Sequence, residues 1–173
     1  MKTAVFFFSA TGNTEKIARV IAERLEELGS EVELINITFP DSRQRTVDFN
    51  TYDGAVFGSP IHSMRAPRLV RDWIATLQGA ETKCATYFTY GGFQVHPTHY
   101  DTCSRLKEQG FEVAASAEFL GKHTFNLGGW QSMIGRPNDD DAGMARKYAD
   151  ALHARFSGSD AGMVQDLDKG PYT

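Results

Sequence analysis

The N-terminal part of the chain contains a complete strand–loop–helix pattern, which constrains the fold more than any other feature. Residues 4–8 are consecutive apolar residues, as expected for a strand buried on both faces of a parallel sheet. From Glu15 to Leu28 the apolar residues recur at helical spacing, and Gly29 is placed to end that helix. A buried strand followed at once by an amphipathic helix is a βα unit, which indicates a parallel sheet.

The same alternation continues along the chain, so we predict an α/β protein. Its architecture is a three-layer α/β/α sandwich with a five-stranded parallel sheet between two layers of helices. Residues 38–52 are polar and weakly periodic, and we expect at most a short helix there. Further strands are predicted at residues 31–37, 53–58, 83–90 and 111–120, and further helices at residues 69–77, 98–109 and 139–156.

Length and composition limit the functional classes. The 173 residues fit one domain, predicted at 1–157, followed by a Gly-, Ser- and Asp-rich tail at 158–173. The net charge of -4 and the lack of a clustered basic face argue against nucleic-acid binding. No apolar run is long enough to span a membrane, and the two cysteines indicate ordinary thiols in a reducing compartment. We therefore expect a cytoplasmic protein with no membrane partner.

The loop after the first strand is the strongest candidate binding site. Hydroxyl and amide side chains and a glycine lie directly before a helix N-terminus, where free N–H groups and the helix dipole favour an anion. Neither G-x-x-x-x-G-K-[ST] nor G-x-G-x-x-G is present. The simpler alternative is a capped helix start that binds nothing. We predict that this loop binds a phosphate; its residues are Ser9, Ala10, Thr11, Gly12, Asn13 and Thr14.

Residues 6–14 resemble the flavin mononucleotide (FMN) phosphate fingerprint of flavodoxins, in which the first strand ends in S/T-x-T-G-N-T. The strand order over 1–156 is similar as well. The local sequence of the chain resembles the flavodoxin half of ferredoxin–flavodoxin fusion proteins. The resemblance implies strand order 2-1-3-4-5, FMN as cofactor, and two further loops beside the flavin ring. Those loops contain Ser59, Pro60, Ile61, His62, Ser63 and Met64 after the third strand, and Thr89, Tyr90, Gly91, Gly92 and Phe93 after the fourth.

The loop after the third strand departs from the flavodoxin pattern. Many flavodoxins place a Trp and an exposed Gly beside the flavin, and residues 59–65 contain neither. A Gly at this position would let a peptide flip toward the flavin at low cost. Because residues 59–65 lack that Gly, we expect weak stabilisation of the one-electron-reduced flavin. His62 and Arg65 could instead place a cation near the ring, or could be solvated loop residues.

Three other residue groups carry weaker predictions. Tyr90 or Phe93 offers an aromatic face for stacking. Lys122, His123 and Trp130 follow the fifth strand and should lie on the flavin side of the sheet. His96 and His99 have an H-x-x-H spacing, but without further ligands they are predicted to be surface histidines and not a metal site.

Two redox functions and one binding function fit these features. The first is an electron carrier, a monomer or weak dimer, that exchanges electrons with redox partner proteins: a reductase or ferredoxin-type donor and an acceptor enzyme. The alternative is an FMN-dependent NAD(P)H or quinone reductase on the same fold. A third possibility, a binding module that has lost its flavin, is disfavoured by the intact loop at residues 9–14.

Overall fold

The computed structural model describes residues 1–125 and 131–162, and it confirms the predicted fold. Five parallel strands form one sheet in the order β2-β1-β3-β4-β5. The strands are β1 (Lys2–Phe7), β2 (Glu31–Asn36), β3 (Gly54–Pro60), β4 (Lys83–Tyr90) and β5 (Glu112–Leu120). The helices are α1 (Asn13–Glu27), α2 (Pro40–Arg43), α3 (Arg68–Ile74), α4 (Thr98–Glu108) and α5 (Asp139–Phe156), with a 3-10 turn at Phe49–Thr51.

Two hydrophobic cores lie on opposite faces of the sheet, which explains the unbroken apolar run of β1. Phe6 packs with Phe57 and Trp73 on the side of α3 and α4. Val5 packs with Ile21 on the side of α1 and α5. Each such side chain, fully buried, stabilises the fold by about 1.5–3 kcal/mol. Alternation along residues 4–8 therefore serves two cores, and the polar residues of β1, Lys2 and Thr3, lie at its start.

The sequence predictions of the secondary structure hold with small changes at the ends of elements. The polar segment 38–52 contains only α2 and the 3-10 turn, as expected. The helix predicted at 69–77 ends earlier, at Ile74. Cys84 and Cys103 are free and buried, and burial raises the pKa of both thiols. Among the described residues, no helix has the length and apolar character needed to cross a membrane.

The C-terminal tail is only partly described. After α5, the backbone N–H of Gly162 donates to Asp160, which also pairs with Arg155 of the helix. Residues 163–173 lie outside the described residues, so the predicted boundary between domain and tail stays a prediction.

Candidate functional site

The loops that follow β1, β3, β4 and β5 meet at the carboxyl edge of the sheet and line one cleft. In an open parallel sheet this edge is where ligands bind. The cleft has a volume of about 200 Å³. A second pocket of about 240 Å³, called the side pocket below, shares the residues Ile61, Tyr90, Gly91 and His123 with it.

Most of the residues predicted from the sequence line these two cavities. The cleft is lined by Ala10, Thr11, Asn13, Thr14, Pro60, Ile61, His62, Thr89, Tyr90 and Gly91 from the predicted set. The side pocket adds Ser63, Met64 and Phe93. The structure therefore brings the three predicted loops to one place, although they are far apart in the sequence.

Three residues of the loop at 9–14 line the cleft and have unpaired backbone donors. Gly12 has φ +92° at the N-cap of α1, a left-handed conformation that glycine adopts without strain. Within residues 1–125 and 131–162, the backbone N–H groups of Thr11, Asn13 and Thr14 have no hydrogen-bond acceptor. Three such donors at the positive end of a helix dipole form a site for an anion such as a phosphate.

The side chains of this loop mostly hold its shape. The Ser9 hydroxyl accepts hydrogen bonds from the N–H groups of Gly12 (3.1 Å) and Glu15 (3.2 Å). The Thr14 hydroxyl is buried against the Thr89 hydroxyl at 2.7 Å, and the Asn13 amide donates to the Lys122 carbonyl at 3.0 Å. The side chains of Ser9, Asn13 and Thr14 therefore connect the loop to its neighbours. The backbone N–H groups are the groups of this loop best suited to an anion.

A buried tyrosine fixes the loop to the centre of the sheet. The Tyr87 hydroxyl donates to the Thr14 carbonyl at 3.0 Å. Its ring passes over Gly58 so closely that a Cβ there would lie 2.1 Å from the Tyr87 Cζ. The close approach of this ring therefore requires Gly58. With its ring packed on Gly58 and its hydroxyl bonded to Thr14, Tyr87 holds the loop against the sheet.

The loop after β3 forms a tight turn with unusual backbone angles. His62 and Arg65 exchange two backbone hydrogen bonds, with N···O distances of 2.8 and 3.2 Å. Ser63 and Met64, between them, have φ values of +50° and +63°, as in a type I′ turn. Such turns normally contain Gly or Asn, so two other residues here indicate stored backbone strain.

The two candidate cations of this loop behave differently. The His62 ring lines the cleft, and although much of it is exposed, partial desolvation lowers its pKa. A lowered pKa favours the neutral imidazole at pH 7. The Arg65 guanidinium lies 3.5 Å from the Asp101 carboxylate, so its charge is directed to α4. The structure therefore offers little support for a cation from this loop at the ring.

The loop after β4 contributes one aromatic side chain to both cavities. Tyr90 lines the cleft and the side pocket, and burial raises the pKa of its hydroxyl. Phe93 is 74% exposed and lines only the side pocket. Of the two residues predicted to stack on the ring, Tyr90 shares the cleft with Thr11 and Asn13, and Phe93 does not. We call residues 9–14 the phosphate loop, after the ligand predicted for them.

The glycines of that loop allow close packing from the segment after β5. A Cβ on Gly91 would lie 2.1 Å from the His123 Cδ2, and one on Gly92 would lie 2.5 Å from the Met133 Cε. The Ser132 hydroxyl also donates to the Gly91 carbonyl at 2.7 Å. These contacts bring His123 into the lining of the cleft, beside Tyr90 and Gly91.

The segment after β5 is the part of the site that the sequence analysis largely missed. Two parts of its backbone are joined by hydrogen bonds: the N–H of Lys122 donates to the Arg136 carbonyl, and the N–H of His123 donates to the Ser132 carbonyl. Lys122, His123 and Trp130 were predicted to lie near the flavin from their position alone, and Trp130 lies outside the described residues. The cleft-lining residues from this segment are Gly121, Lys122, His123 and Thr124. Gln94, in the loop after β4, also lines the side pocket and was not predicted.

Four predicted site residues do not line either cavity. Ser9 and Gly12 shape the phosphate loop, as described above. Ser59 is buried, and its hydroxyl donates to the carbonyl of Pro60. Gly92 has φ +83° and permits the turn that precedes Phe93. Their contribution is to the backbone of the loops.

Of the two H-x-x-H histidines, His99 lies in a position that was not predicted. His99 is half-buried: its Nδ1 lies 2.5 Å from the Ser116 hydroxyl and its Nε2 2.8 Å from the Glu118 carboxylate. The prediction of a surface residue is therefore wrong for His99, because the edge strand β5 presents polar side chains toward α4. Among the described residues, no group of three or more metal-ligating side chains forms a metal site.

Comparison with known proteins decides the family. Residues 4–120 match the family described as a flavodoxin domain. The chain belongs to the flavodoxin domain family. FMN is the cofactor of this domain, and the protein is an FMN-binding redox protein.

Individual relatives of this flavodoxin domain are distant. Flavodoxin 2 from Bacillus cereus superposes with a TM-score of 0.67 at 20% identity, covering 92% of this chain and 100% of its own. The Flv1 flavodiiron core from Synechocystis sp. PCC6803 gives a TM-score of 0.67 at 16% identity, covering 92% of this chain and 37% of its own. A Synechocystis protein described as diflavin flavoprotein A 4 is 27% identical over 118 residues, 68% of this chain. This chain spans about a fifth of the length of the curated relatives it matches.

The residues of the cleft fit FMN. The unpaired N–H groups of Thr11, Asn13 and Thr14 suit a phosphate, and Tyr90 and His123 supply flat faces at the other end. No carboxylate lines the cleft or the side pocket among the described residues, so a dianionic phosphate meets no negative side chain there.

Proposed function

We propose that this flavodoxin domain is an electron-transfer protein that passes electrons between redox partners through FMN. The observation that carries the proposal is the set of unpaired N–H groups of Thr11, Asn13 and Thr14, three residues that line the cleft at a helix N-terminus. Bound FMN supplies one- and two-electron redox chemistry. The protein needs no nucleophile for this, and its residues bind, orient and partly enclose the cofactor.

Each part of the site has a distinct role in this proposal. The backbone of the phosphate loop holds the anionic end of FMN, and the loop is held in place by Ser9, Thr14 and Tyr87. Tyr90 offers an aromatic wall at the ring end. His62, neutral because its pKa is lowered, can contact the ring without adding charge.

The size of the relatives supports a carrier role within a larger electron-transfer system. This chain corresponds to 20% of the diflavin flavoprotein and 37% of the flavodiiron core, so in those proteins the similar region is one module among others. We propose that the module here exchanges electrons with a reductase or ferredoxin-type donor and with an acceptor enzyme. A cytoplasmic location is part of the proposal, supported by two free, buried cysteines. A monomer or weak dimer stays a prediction.

One observation favours the second candidate function, an NAD(P)H or quinone reductase. The side pocket opens beside Tyr90 and His123 and has a volume of about 240 Å³. An enzyme of this kind needs room for a flat substrate next to the flavin, and a pocket that shares Tyr90 and His123 with the cleft supports this alternative.

Anaerobic reduction of the FMN-bound protein separates the two functions. The visible flavin spectrum is followed during stepwise addition of NADPH, and then of dithionite. A carrier keeps its oxidised spectrum with NADPH and loses it with dithionite, whereas a reductase loses it with NADPH directly. Failure of the purified protein to bind FMN at all would reject both functions.

A further inference from the structure

The mouth of the cleft is surrounded by exposed apolar side chains. Phe93 is 74% exposed, Phe125 is 71% exposed and Met64 is 41% exposed. Phe93 and Phe125 both contact the His123 ring, with centroid distances of 6.1 and 5.7 Å. Single exposed apolar residues are common on protein surfaces, but a cluster around a binding cleft indicates an interaction surface.

The charge at this mouth is opposite to that of the whole chain. The chain carries a net charge of -4. Among the described residues, neither the cleft nor the side pocket is lined by an Asp or a Glu, while the exposed Lys122 lines the cleft. The negative charge of the protein therefore lies elsewhere, and the mouth presents apolar groups and a cation.

A second positive charge lies beside Met64. The Arg65 guanidinium is 3.5 Å from Asp101, but the same carboxylate is also 3.0 Å from Arg105. Two guanidinium groups share the Asp101 carboxylate, so this carboxylate alone does not neutralise both. Two further carboxylates, those of Glu108 and Asp72, act on Arg105. We call Met64, Arg65, Phe93, Lys122 and Phe125 the rim.

We propose that the rim docks a redox protein whose own docking face is apolar at its centre and acidic around it. The inference rests on the proposed function, because it concerns the partner that exchanges electrons at this cleft. Charges on the rim act on a partner within about one Debye length, ~10 Å at 0.1 M salt, so the local positive charge decides the docking. Charge complementarity of this kind speeds encounter with the fitting partner.

The test compares one acceptor in two charge states. FMN-bound protein is fully reduced with dithionite and freed of excess dithionite under anaerobic conditions. It is then mixed, in a stopped-flow instrument, with native basic cytochrome c or with cytochrome c whose lysines have been succinylated. The haem reports electron transfer in both cases. At low salt we expect the acidic, succinylated form to react about tenfold faster than at high salt, and the native form to gain nothing from low salt.

Two variants connect that salt dependence to the rim. Lys122→Glu should lower the ratio of the low-salt rate to the high-salt rate with succinylated cytochrome c several-fold. This ratio is the quantity compared with the parent protein, because Lys122 also lines the cleft. Lys107→Glu makes the same charge change in the last turn of α4, away from the cleft, and serves as the control. Replacing Phe93 and Phe125 together by Ser should lower the high-salt rate with both acceptors, because the apolar contact does not depend on salt.

The outcomes separate this inference from the proposed function. A faster low-salt reaction with native cytochrome c, or equal effects of the Lys122 and Lys107 variants, overturns the acidic partner and leaves the carrier role intact. Reduction of neither acceptor by the reduced, FMN-bound protein overturns the carrier role itself.

Discussion

The two ends of the cleft differ in the groups that they present. We propose that residues 9–14 form a phosphate end and that the loops after β3, β4 and β5 form a ring end. At the phosphate end the exposed groups are backbone N–H donors, and the side chains of Ser9 and Thr14 point back into the protein. At the ring end the groups are side chains from three separate loops, including His62, Tyr90 and His123. The first end depends on one local segment, and the second depends on how distant segments pack. Their responses to substitution should therefore differ.

The largest expected effect is loss of FMN affinity when a negative charge enters the phosphate loop. Thr11→Asp places a carboxylate beside the unpaired N–H groups, where one like-charge contact with a phosphate costs roughly 1–4 kcal/mol. We expect FMN affinity to fall about thirtyfold, which corresponds to ~2 kcal/mol on the scale of ~1.4 kcal/mol per factor of ten. Riboflavin, which has no phosphate, should lose little.

Fluorescence-quenching titrations of both flavins measure this effect. Thr11→Asn has nearly the shape of the Asp variant without its charge, and it should bind FMN almost as the parent protein does. An equal loss for FMN and riboflavin in the Asp variant would show that this loop does not hold the phosphate.

The next effect concerns the ring end. Gly91→Ala places a Cβ 2.1 Å from the His123 Cδ2, so His123 must move. Because overpacking of this kind costs about 1–3 kcal/mol, we expect FMN and riboflavin to lose similar affinity, about tenfold each. Gly143→Ala is the matched control, since nothing lies within 4 Å of a Cβ at that helix position. A loss confined to FMN would contradict the division of the cleft into two ends.

A smaller effect is expected from releasing strain in the turn after β3. Ser63 has φ +50°, and Gly adopts that conformation freely. Ser63→Gly should raise the free energy of unfolding in urea by about 0.5–1 kcal/mol, after allowance for the greater freedom of Gly in the unfolded chain. It should also stabilise the one-electron-reduced flavin, because the peptide can then flip.

Ala80→Gly controls for the backbone effect alone. Ala80 has φ +51° and lines neither cavity, so its replacement should raise stability without changing the redox titration. A redox change in both variants, or in neither, would remove the link between this turn and the flavin.

The smallest effect is a pH dependence from His62. Its pKa is lowered in the folded protein, so the unfolded chain takes up a proton first, at about pH 6.5, as the pH falls. The free energy of unfolding should therefore decrease from pH 7 downward, and His62→Gln should flatten that decrease.

Urea denaturation of the flavin-free protein between pH 7 and 5 measures the difference. Glu118 does not interfere in this range: the hydrogen bond from His99 lowers its pKa, so its stabilising effect is lost only at more acidic pH, below about 4.3. Parallel profiles for the parent and His62→Gln would show that this imidazole is not desolvated.

The contrast between the two ends also explains what the sequence could predict. Residues 4–28 determine a strand, a loop and a helix through local patterns. Residues 9–14 lie inside that unit, so the position of this loop at the cleft was predictable. The roles of Ser9 and Thr14 were not, since they depend on Thr89 and on backbone geometry.

The ring end was predictable only in part. Loops after β3 and β4 follow from the strand order, but the approach of His123 to Gly91 is a contact between separate loops. The position of His99 between Ser116 and Glu118 likewise depends on how α4 packs on β5. No periodicity or motif signals such contacts, because they are fixed only when the elements pack.

The most direct measurement of the central claim compares FMN and riboflavin binding to the unmodified protein. The backbone donors of Thr11, Asn13 and Thr14 contribute only to a ligand that has a phosphate. Fluorescence-quenching titration should give an affinity for FMN at least about a hundredfold higher than for riboflavin, which corresponds to ~2.7 kcal/mol. Equal affinities for the two flavins, or no binding of either, would contradict the account.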